Sequence, residues 1–332
     1  MPDSIRPAKP RVIITRELAD SIHDRMAELF DVVPNLTDRE FSRGDLIAAM
    51  ADCDVLVPTV TDHIDAEMIA SAPDRLKFIA SFGAGVDHID LAAARAKGII
   101  VTNTPGVFTE DTADMTMALI LSVPRRLSEG EKLMRSGEWE GWKPSGMLGH
   151  CIGGKKLGII GMGRIGQAVA RRASGFGMSI VYHNRRQLPP AVEESLNAGF
   201  VANLDDLIGD CDIISLHCPH TVDTHEMINA TRIAMMKPST YLINTARGDL
   251  IDENALIEAL QQEKIGGAGL DVYQKEPAVD PRFLKLKNTV LLPHMGSATF
   301  EGREASGERV IANIRVWADG HRPPDQVLEG WL

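Results

Sequence analysis

The sequence predicts an α/β protein of two domains, each a parallel sheet wrapped by helices. Three observations carry this reading. Short apolar runs rich in Val and Ile alternate with helical patterns along the chain, which is how parallel sheets covered on both faces read. The 332 residues exceed one ordinary domain and suit two. The alternation breaks at Thr104-Pro105-Gly106 and restarts at Lys156 as a second series.

Composition narrows the class. Hydrophobic residues make up 44% and charged ones 24%, enough for real cores and too apolar for disorder. Acids outnumber bases 46 to 35, a net charge of −11 with no block of like charge. That balance argues against nucleic acid and anionic membrane as partners. The four cysteines, Cys53, Cys151, Cys211 and Cys218, form no CxxC pair and suit a reducing compartment. No apolar leader follows Met1-Pro2-Asp3-Ser4, and no run approaches the roughly 18 apolar residues of a membrane span. A cytoplasmic protein is the expectation.

In the first series, strands are expected at Val12 to Thr15, Val55 to Val57, Phe78 to Ala80 and Ile99 to Val101. Helical patterns fall at Glu17 to Phe30, Asp45 to Met50, Ala66 to Ala72 and Leu91 to Ala96. One long apolar helix from Thr109 to about Arg135 would lead into the second domain. There the strands read Leu157 to Ile160, Ser179 to Tyr182, Ile213 to Leu216, Tyr241 to Asn244, Gly269 to Val272 and Thr289 to Leu292. That is about six, the complement of a full dinucleotide-binding sheet. The last helical pattern, Gly302 to about Gly320, comes after that sheet is full and is expected to return to the first domain.

Gly161-Met162-Gly163-Arg164-Ile165-Gly166 matches G-x-G-x-x-G. The match follows an apolar strand directly and opens a helix of small residues, the context the motif requires. The first glycine makes the tight turn, the second admits a pyrophosphate and the third lets helix pack on strand. The helix N-terminus supplies free N–H groups for the phosphates. An NAD site places an acid about 20 residues beyond the first glycine, on the ribose 2′-hydroxyl. Here that stretch reads Tyr182-His183-Asn184-Arg185-Arg186, and no acid occurs from Met178 through Val192. A guanidinium binds a 2′-phosphate through charge-assisted hydrogen bonds, whereas a carboxylate repels it. The reading is NADPH, with NADH possible and less preferred; the plainer alternative is two solvated surface arginines.

Arg247, Glu276 and His294 each follow a predicted strand of the second domain. Ligands bind at strand carboxyl ends in open parallel sheets. His217, His220 and His225 cluster as well, but His217-Cys218-Pro219-His220 lacks the second matching pair of a structural metal site, so no metal is expected.

Together these motifs resemble the D-isomer-specific 2-hydroxy acid dehydrogenases. The resemblance rests on Gly83-Ala84-Gly85-Val86-Asp87, Asn103-Thr104-Pro105-Gly106, the glycine motif, Thr245-Ala246-Arg247-Gly248, Gly269-Leu270-Asp271-Val272 with Glu276-Pro277, and Pro293-His294-Met295-Gly296-Ser297-Ala298-Thr299. It spans essentially the whole chain. It leans toward the glyoxylate/hydroxypyruvate reductases through Trp139-Glu140-Gly141-Trp142-Lys143-Pro144, Asn184-Arg185-Arg186 and Gly296-Ser297-Ala298-Thr299.

The resemblance implies two Rossmann-like domains with the active site in the cleft between them. Residues 1–108 plus 300–332 would form a discontinuous, flavodoxin-like substrate-binding domain, and 109–299 the dinucleotide-binding domain. His294 would be the general acid, Glu276 its orienting partner, and Arg247 the cation for the substrate carboxylate. Ala84 and Gly85 would offer backbone N–H groups to that carboxylate and Ser297 a hydroxyl. Beside the motif glycines, Arg164 and Ile165, the resemblance puts Thr112, Cys218, Pro219, Thr245, Ala246, Asp271 and Gly296 around the cofactor. Asp271 would face the nicotinamide carboxamide or else cap a neighbouring segment. Trp139 or Trp142 would reach across a homodimer interface. The expected activity is NADPH-dependent reduction of glyoxylate and hydroxypyruvate to D-2-hydroxy acids. Two alternatives stay open: a phosphoglycerate- or D-lactate-type dehydrogenase, and a non-enzymatic dinucleotide sensor like the corepressors of this fold. Formate dehydrogenases carry an amide where Glu276 stands.

Overall fold

The computed structural model describes residues 9–328. Met1 to Ser4, read above for a leader, and the outermost ends of the first domain's range lie outside the described residues. The chain divides into two compact units, Met1–Phe108 with Ala298–Leu332, and Thr109–Ser297.

The first unit contains β1 (Arg11–Ile14), α1 (Asp20–Leu29), β2 (Asp31–Val33), α2 (Arg43–Asp52), β3 (Val55–Val57), α3 (Ala66–Ser71), β4 (Phe78–Ala80), α4 (Leu91–Ala96) and β5 (Ile100–Thr102). All strands pair in parallel, in the order β2-β1-β3-β4-β5. Ile13, Leu56, Ile79 and Val101 face one core with Leu46, Met50, Met68 and Ile69 of the helices. Val12, Ile14, Val55, Val57 and Phe78 face the other, against Ile22 and Met26 of α1 and Val310, Ile311 and Ile314 of the chain's final helix. Burial on both faces is why these strands read as unbroken apolar runs. The sequence reading missed β2, a three-residue edge strand that is only partly buried.

The second unit contains α5 (Thr109–Ser122), α6 (Leu127–Ser136), β6 (Lys156–Ile160), α7 (Arg164–Gly175), β7 (Ser179–His183), α8 (Pro190–Leu196), β8 (Ala198–Phe200), α9 (Leu204–Asp210), β9 (Ile213–Leu216), α10 (Ala230–Met235), β10 (Tyr241–Asn244), α11 (Glu253–Gln261), β11 (Gly267–Leu270) and β12 (Thr289–Leu291). The final helix, α12 (Phe300–Ala318), packs on α1 and β4 of the first unit. The second sheet is parallel, in the order β12-β11-β10-β9-β6-β7-β8. Read from β8 this is the 3-2-1-4-5-6 winding with one further strand, and the order reverses between β6 and β9.

Three expectations need correction. The sheet has seven strands rather than six, because β8 is a short edge strand around Gly199. The helix expected from Thr109 to Arg135 is two helices. Pro124 has no N–H and disfavours helical backbone at the residue before it, and Arg126 takes a left-handed φ of 56°. The strand expected at Gly269 to Val272 runs from Gly267 to Leu270. Its last ladder bond comes from the Asp271 N–H to Asn244, and the chain then turns.

Candidate active site

The glycine motif joins β6 to α7 as the spacing requires. Gly161 has φ +100°, and a Cβ there would stand 2.5 Å from the Cys218 nitrogen and 2.6 Å from the His217 carbonyl carbon. A Cβ on Gly166 would stand 2.4 Å from the Gly161 oxygen. These two glycines are demanded by the protein itself. Gly163 is not: a Cβ there meets nothing within 4 Å, so the space over the turn is open. Gly163 is also the N-cap of α7, whose first N–H groups lack intrahelical acceptors. An open cradle facing free donors fits a pyrophosphate. Arg164 is exposed and Ile165 half-buried beside it.

At the end of β7, Asn184 Oδ1 accepts the Met162 N–H at 2.7 Å, which ties this strand end to the glycine turn. Arg185 and Arg186 are exposed, and their side chains have no partner among the described residues. No acid lies between Met178 and Val192, but the next residue is one. Glu193 on α8 returns to this strand end and accepts the Tyr182 hydroxyl at 2.6 Å.

Around the end of β9, burial pulls the His217 ring down to about 3 and pushes the Cys218 thiol up to about 11. His217 is therefore a neutral partner of Ser215, at 2.8 Å, and Cys218 an uncharged thiol 3.6 Å from the Met227 sulfur. His220 and His225 pair with each other at 3.3 Å. Pro219 follows, exposed.

The end of β10 carries Arg247. Asn244, fully buried, accepts the Ala246 N–H at 3.0 Å and donates to the Arg247 oxygen at 2.8 Å, fixing the turn. The Thr245 and Thr116 hydroxyls lie 2.8 Å apart, and Thr116 donates to the Thr112 oxygen at 2.7 Å. The Arg247 guanidinium donates to the Ala246 oxygen at 2.7 Å. Gly248 then passes so close to the next loop that a Cβ would stand 1.9 Å from the Tyr273 carbonyl carbon. That contact sets Arg247 beside the loop carrying Glu276.

Glu276 and His294 form the centre of the site. Glu276 Oε1 accepts the Tyr273 N–H at 2.9 Å, and Oε2 lies 2.6 Å from His294 Nδ1. Burial alone would raise the Glu276 carboxyl; the His294 bond and charge, the Tyr273 N–H and the Arg247 charge outweigh it and hold it below the usual range. Each side chain of the pair stays about one-third exposed, so the dyad meets solvent on one side.

Asp271 is 1% exposed, and its oxygens accept the Met295 and Gly296 N–H groups, each at 2.7 Å. It braces the loop that follows His294. Burial, the larger influence, pushes its carboxyl up against those two bonds. Gly296 is required by this brace, since a Cβ would stand 2.9 Å from Asp271 Oδ2. Ser297 is half-buried next to it. In the first unit, Ala84 and Gly85 follow β4 in a turn held by Asn103, whose amide donates to the Ala84 oxygen at 2.7 Å.

Sequence reasoning missed Asn244, Thr116 and Glu193 as members of these arrangements. Their only signal was polarity inside apolar or helical segments.

Four matches bear on this geometry. Residues 117–296 match the family model of the D-isomer specific 2-hydroxyacid dehydrogenase, NAD binding domain. A glyoxylate reductase from Thermococcus litoralis is 45% identical over 323 residues, 96% of this chain and 97% of that protein. An NADPH-dependent glyoxylate/hydroxypyruvate reductase from Sinorhizobium meliloti, solved with NADP and malonate, superposes with a TM-score of 0.86 at 33% identity, covering 97% of this chain and 98% of the other. A putative D-isomer specific 2-hydroxyacid dehydrogenase from Polaromonas superposes with a TM-score of 0.91 at 40% identity, covering 97% and 100%.

Proposed function

The chain belongs to the D-isomer-specific 2-hydroxyacid dehydrogenase family and is an NAD(P)-dependent oxidoreductase, and on that premise we propose that it reduces glyoxylate and hydroxypyruvate to D-2-hydroxy acids with NADPH. The observation that carries the reading is the 2.6 Å bond between Glu276 and His294, with Arg247 close enough to Glu276 to lower its carboxyl further. The cofactor, when bound over the glycine turn, supplies the hydride.

The protein's own residues supply the rest. His294 Nδ1 is committed to Glu276, which leaves Nε2 to face the substrate carbonyl oxygen and give it a proton. Glu276 fixes the ring and stabilises the imidazolium. Arg247 pairs with the substrate carboxylate and polarises the carbonyl. Asp271 and Gly296 hold the loop that presents His294. The Ala84–Gly85 turn and Ser297 are the remaining candidates for contact with the substrate. Initial rates for a panel of 2-oxo acids, each with NADH and NADPH, test the assignment. Faster turnover of a phosphohydroxypyruvate- or pyruvate-type substrate, or none at all, would reject it.

The dyad makes a pH prediction. Glu276 is held below the usual carboxylate range, so its charge, and the stability tied to it, persist through neutrality and are lost only as pH falls through that depressed value. Replacing it with glutamine removes the charge that stabilises the imidazolium. The alkaline fall in kcat/KM for reduction should then move to lower pH than in the wild type. An unmoved profile would uncouple Glu276 from the proton donor.

We also propose a homodimer. α6 buries none of its residues, and Leu127, Met134, Trp139, Trp142 and Leu148 are all more than half exposed along α6 and the segment after it. Exposed large apolar side chains gathered on one helix and the segment after it are the kind of surface a partner covers. Sedimentation should give a dimer for the wild type and a lighter species for Trp142→Glu. A wild-type monomer would reject the interface.

A further inference from the structure

The loop carrying Arg185 and Arg186 is held by a clamp that the catalytic reading leaves unused. Tyr182, on β7, is fully buried, with its ring 5.4 Å from that of Phe200. Its hydroxyl donates to Glu193 Oε1 at 2.6 Å and accepts the Leu188 N–H at 2.8 Å. The Gln187 side-chain amide donates to both Glu193 oxygens, at 3.0 and 3.1 Å. Burial, and then Glu193, push the Tyr182 hydroxyl up to about 12, so it remains a donor at any working pH.

These bonds close a ring around one short loop. At its start Asn184 is tied to Met162 of the glycine turn. At its end Gln187 and Leu188 are tied to Glu193 and Tyr182. Between the anchors stand two guanidinium groups whose side chains have no partner among the described residues. A loop already ordered loses less conformational freedom when its arginines take up a ligand, which is how preorganisation adds affinity. Glu193 is poorly suited to hold a ribose hydroxyl itself, because its two oxygens already accept three hydrogen bonds from protein donors.

We propose that Glu193 is a positioning residue for cofactor discrimination: through Tyr182 and Gln187 it fixes the loop from Asn184 to Leu188 in the shape from which Arg185 and Arg186 take up the 2′-phosphate. This inference rests on the NADPH reading of those arginines given above.

The test is titration calorimetry of the full chain with 2′,5′-ADP and 5′-AMP, which differ by the phosphate in question. Glu193→Ala and Tyr182→Phe should each weaken 2′,5′-ADP by about fivefold or more, the scale of losing one or two hydrogen bonds, and leave 5′-AMP within about twofold. Glu193→Gln keeps an acceptor for Tyr182 and should stay within about twofold of wild type on both probes. Retained 5′-AMP binding also shows that each variant is folded. A Glu193→Ala variant with the wild-type ratio of the two affinities overturns the inference. So does an equal loss of both probes, which would make Glu193 a folding residue. An Arg185→Ser/Arg186→Ser double variant separates the two readings. If it loses the ratio while Glu193→Ala keeps it, only the clamp is rejected. If it keeps the ratio, the arginine reading itself fails.

Discussion

Replacing His294 should lower kcat for 2-oxo acid reduction by about 100-fold or more, the scale of losing a general acid. The geometry says which nitrogen matters. Nδ1 is held by Glu276 at 2.6 Å, so in the proposed reaction Nε2 is the nitrogen left to give the proton. The substitution has to respect the backbone as well, because His294 has a left-handed φ of 52°. Asparagine tolerates that region better than alanine, so His294→Asn separates lost chemistry from a disturbed loop. His294→Asn and His294→Ala should both bind NADPH almost as the wild type does, since the glycine turn belongs to β6 and α7 and, among the described residues, shares no hydrogen bond with His294. Stopped-flow turnover beside a direct NADPH titration reads the two effects apart. Turnover within about tenfold of wild type in the asparagine variant would remove His294 from the proton-donor role.

How far such a site can be read from sequence depends on what each residue answers to. β9 and β10 were legible to the residue, because four buried positions, only one of them polar in each strand, leave a mostly apolar run with both faces covered. β2 and β8 were not: Asp31-Val32-Val33 has no fully buried residue and Ala198-Gly199-Phe200 has an exposed glycine at its centre, so neither leaves an apolar run. The glycine motif was legible because Gly161 and Gly166 answer to local backbone contacts across a few residues and the neighbouring strand. Glu193 was invisible for the opposite reason. Its partners Tyr182 and Gln187 reach it only because α8 folds back over the strand end, and a linear search for an acid stopped one residue short. Asn244 and Thr116 sit inside apolar stretches as ordinary polar residues, and only the fold reveals that one ties the Arg247 turn and the other holds Thr245. Arg247, Glu276 and His294 were singled out by family motif and strand-end position; that Arg247 acts on Glu276 depends on the backbone approach of Gly248 to Tyr273, which no motif states.

Replacing both Arg185 and Arg186 by serine should weaken NADPH by about tenfold or more and leave NADH almost unchanged. Each charge-assisted hydrogen bond to a phosphate contributes about 1.5–3 kcal/mol, and about 1.4 kcal/mol is tenfold in affinity. Loss of even one such bond is therefore enough. Both side chains are exposed and without partners among the described residues, so their removal breaks no internal ion pair and the fold should be indifferent. Asn184→Asp should go further toward NADH. Asn184 Oδ1 already accepts the Met162 N–H, and an aspartate oxygen can keep that bond while its second oxygen takes the ribose 2′-hydroxyl. The same negative charge repels a 2′-phosphate. The single arginine variants tell which guanidinium carries the effect. Ratios of kcat/KM for the two cofactors, at fixed ionic strength because the interaction is screened by salt, are the measurement. A double variant that keeps the wild-type NADPH/NADH ratio would make both arginines surface charges. The proposed NADPH preference would then lose its physical basis at this strand end.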